Sequence, residues 1–241
     1  MLLSTPGLVL HTTPYAESSV VAKVFTRQLG LRSYIIKGVR GRSGRVKQNL
    51  LQPLSSLDMV VYDNPRTDLN YIKELTPRNP GQSSEPVTNS LRFFMTEVLY
   101  KALREAEPMP ALWDYVDCQS SVGSEPAANV PVTFMLKVAY HMGIEPLDNH
   151  SHREPYFDLQ EGRFVSEPDE NTLPAALSRT LHEYLSSSRL DSSTPQPLSH
   201  PVTASLQERL TLLDALIAYF QLHLSGFTHF HSHEILHTIL K

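Results

Sequence analysis

The chain is almost without cysteine. Cys118 is the only one in 241 residues, so no internal disulfide can form and no multi-cysteine zinc site can be built. A lone thiol of this kind suits a reducing compartment. Long apolar runs are missing too, and none approaches the ~18 residues of a membrane span. The opening MLLSTPGLVLH lacks a basic n-region, and its apolar stretch is too short for a signal peptide. We therefore expect a cytoplasmic protein with no membrane attachment. Glycine is sparse at 10, against 18 prolines. No Lys-Ser or Lys-Thr follows the glycine cluster at 38–44, which excludes a nucleotide-binding P-loop.

Each half of the chain is short of one sign of charge. Residues 1–80 hold 11 Lys/Arg against 5 Asp/Glu, and residues 81–241 hold 10 against 20. The net charge of -4 therefore hides a front of +6 and a rear of -10. Opposite balances in one chain point to two units with different partners. The front is β-rich at 20–25, 33–37, 57–62 and 69–72, with Gly30, Gly38 to Gly44 and Asp63-Asn64-Pro65 as punctuation. Four or five short strands in so few residues predict a small closed barrel over 1–80.

Beyond the Pro/Ser-rich stretch 76–86 the period changes to 3.6. Ser83 or Ser84 is expected to cap a helix with Pro86 in its first turn and an apolar face of Val87, Leu91, Phe94, Met95, Val98, Leu99, Ala102 and Leu103, ending near Pro108. Further helices are expected at about 110–121, 131–143 and 173–187, with a small hairpin within 148–171. Ser205-Leu-Gln-Glu208 has capping-box spacing and opens a helix with Leu206, Leu210, Leu213, Ile217, Phe220 and Leu224 inward. The fold class is thus α+β and multidomain, with a barrel at 1–80 and a mainly helical domain at 81–241 that carries the hairpin as an insertion.

The stretch 31–47, LRSYIIKGVRGRSGRVK, concentrates the chemistry. It holds six cations (Arg32, Lys37, Arg40, Arg42, Arg45 and Lys47) and no acid, and Gly38, Gly41 and Gly44 recur every third residue. Glycine lets a backbone approach a ligand closely, and flexible cations in a row suit a row of phosphates. Tyr15, Tyr34, Tyr62 and Tyr71 lie near in sequence as candidate stacking platforms for a single strand, with three of the four expected to be ordinary barrel residues. In the acidic rear half the cations Arg92, Lys101, Arg104 and Lys137 sit on helices. Lys137 and Arg92 read as anchors for the carboxylate of an acidic peptide, or, for Lys137, as part of a solvated face.

Residues 8–62 resemble the N-terminal domain of the RecO family of bacterial DNA repair proteins. The resemblance rests on His11-x-x-Pro14-x-x-Glu17, Phe25-Thr26-x-x-x-Gly30, Lys37-Gly38-x-Arg40 and Leu51-Gln52-Pro53-Leu54, in that order. The rear half resembles the family in Phe134-x-Leu136 through Gly143-x-x-Pro146. The resemblance implies an OB-fold followed by a helical domain, and no enzyme activity or cofactor. It implies binding of single- and double-stranded DNA, strand annealing, and docking of the acidic tail of single-stranded DNA-binding protein (SSB). It also implies cooperation with RecR, and through it loading of RecA, in DNA recombination at the nucleoid. Lys37, Arg40, Arg42, Arg45 and Lys47 would then face DNA. Two departures stand out. Residues 146–173 lack the four zinc-ribbon cysteines of many family members, and His150 and His152 alone cannot replace them. The block before the last helix, often basic in the family, is Phe227-Thr-His-Phe-His-Ser-His233, which would make a contact there altered or pH-sensitive.

Two other readings compete. His233-Glu-Ile-Leu-His237 fits the H-E-x-x-H spacing of zinc peptidases, with Ser232 as a helix cap, but only Thr238 to Lys241 remain to supply a downstream third ligand. The expected apolar arc of Ile235, Leu236, Ile239 and Leu240 instead makes this a terminal docking helix with border histidines. A generic OB-fold adaptor for RNA would share the basic stretch but not the ordered motifs.

Overall fold

A glycine shapes the first strand. Strand β1 (Leu2–Tyr15) is 14 residues long and pairs on both edges, through residues 2–8 with β4 (Ser56–Tyr62) and through residues 7–15 with β2 (Ser19–Thr26). Serving two neighbours requires a strong bend, and it falls at Gly7 and at the register shift between Val9 and His11. A Cβ on Gly7 would sit 2.5 Å from the Met59 methyl and 2.6 Å from a Val24 methyl, so the inside of the bend has room for hydrogen only. Strands β3 (Gly30–Ile36) and β5 (Leu69–Pro77) pair in parallel and complete a closed barrel in the order β1-β2-β3-β5-β4. Val9, Val20, Ala22, Val24, Tyr34, Ile36, Leu57, Met59 and Val61 fill it. This is the OB-fold followed by helices expected from the sequence, seen in a computed structural model that describes residues 1–39, 50–64, 66–78, 85–103, 107–121, 127–188 and 198–240.

The chain divides into two compact units, 1–84 with 103–122 and 85–102 with 123–241. Helix α1 (Pro86–Ala102) belongs to the second unit and ends at Ala102 rather than near Pro108, as Leu103 joins the first. Helix α2 (Pro110–Ser121) belongs with the barrel. Its Trp113 is 2% exposed and donates its indole N–H to the Phe25 carbonyl at 2.9 Å, while Asp114 grips Arg27 through two bonds of 2.7 and 2.9 Å. The bidentate geometry raises the already high pKa of Arg27 further.

In the second unit, α3 (Val130–Met142) stops where Gly143 turns left-handed at φ 71°, and the N–H groups of Gly143 and Ile144 return to the carbonyls of Tyr140 and Ala139. The hairpin of β6 (Tyr156–Asp158) and β7 (Arg163–Val165) follows. Phe157 and Phe164 close it from inside at 5.1 Å, and the Asp158 carboxylate accepts the turn amides of Gln160 and Glu161 at 2.7 and 2.8 Å. Helix α4 (Ala175–Ser187) is tied to it by Ser178, whose buried hydroxyl accepts the Phe157 N–H. The capping box is present: Ser205 accepts the Glu208 N–H at 3.2 Å, and the Glu208 carboxylate accepts the Ser205 N–H at 2.7 Å at the start of α5 (Leu206–His223). Those bonds from Ser205 hold the Glu208 carboxyl below its usual range.

The last helix, α6 (Ser232–Ile239), departs from the sequence reading in two ways. Ser232 is not its cap. Position N-cap is His231, with no cap from its own side chain, and Glu97 of α1 does the work by accepting the Ser232 N–H at 2.7 Å and the His231 N–H at 3.2 Å. Nor is the expected apolar arc buried. Only Ser232 and Leu236 are, while Ile235 is 46% exposed. The helix is short and lies against α1, so one turn-spaced pair covers its contact face.

Candidate nucleic-acid interface

The basic stretch is rooted in the barrel at both ends. On its near side Val39 is buried in the core, and its N–H donates to the Ser18 carbonyl at 2.9 Å. Gly38 just before it takes φ 69°, which a side chain would resist. On its far side Leu51 re-enters the same core, and Leu54 (φ 54°) donates its N–H to the Val9 carbonyl at 2.8 Å. Arg40, Arg42, Arg45 and Lys47 lie outside the described residues.

Of the two described cations, Lys37 directly follows β3 and Arg32 lies within it. Five residues at about 3.3 Å each place them roughly 16 Å apart along the strand, so they do not form one cluster. Arg32 is half-buried and Lys37 exposed. The Lys37 ammonium lies 5.4 Å from the centre of the Tyr71 ring. Lys37 and Tyr71, but not Arg32, line an open groove of about 780 Å³ with Tyr62, Ile72, Lys73 and Glu74.

The four tyrosines differ in exposure. Tyr34 alone is in the core, fully buried, and burial pushes its phenol pKa up. Tyr15, Tyr62 and Tyr71 are 48%, 52% and 46% exposed. The period-2 pattern could have found this, since Tyr62 follows buried Val61 and Tyr71 follows buried Asn70.

The rear cations are placed differently from the sequence reading. Lys137 is 2% exposed, so it is not on a solvated face: α3 is buried nearly all round, from Val130 to Ala139. Arg92 of α1 is half-buried, which lowers its pKa through desolvation, and the next residue, Phe93, is exposed. Lys101 donates to the Thr228 and His229 carbonyls and lies 3.7 Å from Glu97. It is engaged within its own unit. Arg104 lies outside the described residues.

In the HEILH segment, His237 Nε2 lies 2.9 Å from Asp214 Oδ1 and the His233 ring stacks on Phe230 at 5.6 Å. Among the described residues no group of three or more His, Cys, Asp or Glu is arranged to hold a metal ion. No helix among them is long and apolar enough to cross a membrane.

A closed OB-fold barrel continued by a helical unit defines the class of this protein. Comparison with known proteins narrows it. The family model for the recombination protein O N terminal matches residues 1–80. The DNA repair protein RecO of Porphyromonas gingivalis is 30% identical over 257 aligned positions, covering 99% of each chain. The RecO proteins of Phocaeicola vulgatus (28% identical, 98% of each chain) and Christiangramia forsetii (26% identical, 94% of each chain) are also similar. The chain belongs to the RecO family, and its role lies in DNA repair and recombination.

Proposed function

We propose that the chain is a non-enzymatic recombination mediator of the cytoplasm and nucleoid. It binds single- and double-stranded DNA, anneals complementary strands, and with RecR helps load RecA onto SSB-coated DNA. Residues 1–80 are its nucleic-acid part and residues 81–241 its protein-docking part. The observation that carries this reading is the acid-free run of six cations in residues 31–47. Such a run meets phosphates without needing a base sequence, and two strands held on one neutralising surface repel each other less. Strand annealing followed by fluorescence, with EDTA present, tests it. Annealing should persist in EDTA and fail in an Arg40→Glu, Arg42→Glu, Arg45→Glu chain. Annealing that survives the charge reversal refutes the assignment, and loss of activity in EDTA would favour the zinc reading. Tighter binding to structured RNA than to single-stranded DNA would favour the RNA adaptor.

For the acidic SSB tail, burial makes Arg92 the better first contact and leaves Lys137 a supporting charge beneath the surface. Calorimetry with a tail peptide separates them. Arg92→Ala should weaken binding more than Lys137→Met, and a peptide indifferent to both removes the assignment.

A further inference from the structure

Tyr62 and Tyr71 are direct cross-strand partners on β4 and β5. Both are about half exposed, although barrel folding gives no reason to place two large rings side by side in water. Directly opposed residues have Cβ atoms about 5 Å apart, so the two rings offer one contiguous aromatic surface. It is a mixed surface rather than a greasy one. Lys37 sits over Tyr71, and the same groove holds Lys73, which pairs with Glu74 at 3.3 Å. Lys37 is the cation placed over one of the two rings.

We infer that Tyr62 and Tyr71 form a stacking platform for unpaired nucleobases, with Lys37 holding a flanking phosphate. This rests on the DNA-binding reading above and adds what that reading lacks, a basis for telling one strand from two. Phosphates are present on single and double strands alike, so a row of cations discriminates weakly. Free base faces are present only on a single strand, and any base can supply one. A protein side chain would gain from the aromatic surface but would not use the adjacent cation unless it were acidic. A polynucleotide uses both, in a stretch of chain, residues 1–80, whose charge balance is +6.

The test is fluorescence anisotropy of a thymidine oligonucleotide and of a duplex of equal length, across a salt series. The wild-type chain is compared with Tyr62→Ala/Tyr71→Ala and Tyr62→Phe/Tyr71→Phe. Stacked bases are worth roughly tenfold or more each. The alanine pair should therefore bind the single strand at least tenfold more weakly and the duplex within about twofold, with the slope of log K against log salt unchanged because no charge is removed. The phenylalanine pair keeps the ring faces and should bind like the wild type. If a thermal melt shows the alanine pair unfolded, Tyr62→Thr/Tyr71→Thr, built from a good strand former, replaces it. Equal loss for both DNAs, or no loss for the single strand, overturns the inference while leaving the mediator reading intact. A wild-type chain that binds neither DNA overturns both.

Discussion

Glu97 holds the terminal helix from outside it, and Glu97→Ala should release that helix without unfolding the unit. Its carboxylate accepts the Ser232 N–H at 2.7 Å and shares the His231 N–H between both oxygens at 3.2 Å. Ser232 is buried, so removing its acceptor leaves a donor without water, a cost of about 1–3 kcal/mol. Losing a negative charge at a helix N-terminus adds roughly 0.3–1 kcal/mol. The sum is about 1.3–4 kcal/mol. Against it stands little hydrophobic anchorage within α6, since Leu236 is its one buried apolar side chain and contributes roughly 1.5–3 kcal/mol. The loss and the local reserve are comparable, so α6 should open on its own. Native-state hydrogen exchange reads this directly. Amides of 236–240 should lose protection by a factor of roughly 10 to 700, at 1.4 kcal/mol per tenfold, while those of α5 keep theirs. Glu97→Gln keeps one acceptor oxygen without the charge and should fall between. Unchanged protection at 236–240 in Glu97→Ala, or a loss shared equally by α5, would refute the assignment of Glu97 as the external cap.

Ser178→Ala should destabilise the hairpin unit by about 1–3 kcal/mol in urea titration, because its buried hydroxyl accepts the Phe157 N–H at 2.9 Å and donates to the Leu173 carbonyl at 3.1 Å. Gly7→Ala should lower the denaturation midpoint by an amount equivalent to about 1–3 kcal/mol, since its methyl would overlap Met59 and Val24. If all six cations meet phosphates on a single strand, the slope of log K against log salt should be roughly -4, falling to about -2 in an Arg40→Gln, Arg42→Gln, Arg45→Gln chain; a flat dependence refutes the phosphate reading. His141 should make the helical unit acid-sensitive. Burial and the neighbouring Lys137 push its pKa down to about 4. Above about 6.5 both states are neutral, and between there and 4 the unfolded chain binds a proton that the folded chain excludes. Stability should therefore fall as pH drops through that window, less steeply in His141→Gln, as chemical denaturation at pH 7 and 4.5 would show.

Most of the fold was legible because it is written locally. The Ser205–Glu208 box lies within four residues, Gly143 ends α3 by its own conformation, and alternation marks β2 to β5. What the sequence concealed depends on distant partners. Gly7 carries no local signal, and its role appears only when Met59 and Val24 are brought against it from β4 and β2. Ser232 reads as a cap until Glu97, 135 residues away in sequence, takes its N–H. Lys137 reads as solvated because charge suggests solvent, yet apolar neighbours on α3 carry it inside. The candidate site divides the same way. Its cations were visible as a run, but which tyrosine faces water depends on strand register, and register is set by pairing across the barrel.

The HEILH segment shows why spacing alone does not make a site. The motif requires two imidazoles aimed at one point with a third ligand beyond them. Here the two rings are 6.1 Å apart and nearly perpendicular, Nε2 of His237 faces Asp214, and His233 lies flat on Phe230. Phe230 in turn packs edge-on against Phe94 of α1, and Phe227 stacks on Phe230 at 5.4 Å. The residues that spell the motif are thus employed in docking α6. Glu97 satisfies the start of the helix, Lys101 holds the approach through two carbonyls, and Leu236 supplies the buried contact. A helix fixed by these contacts needs its histidines as packing and pairing groups at its border. Its letters follow from that position as readily as from catalysis. The DNA surface is proposed in the front part of the chain on a different ground, the charge asymmetry of residues 31–47, which hold six cations and no acid.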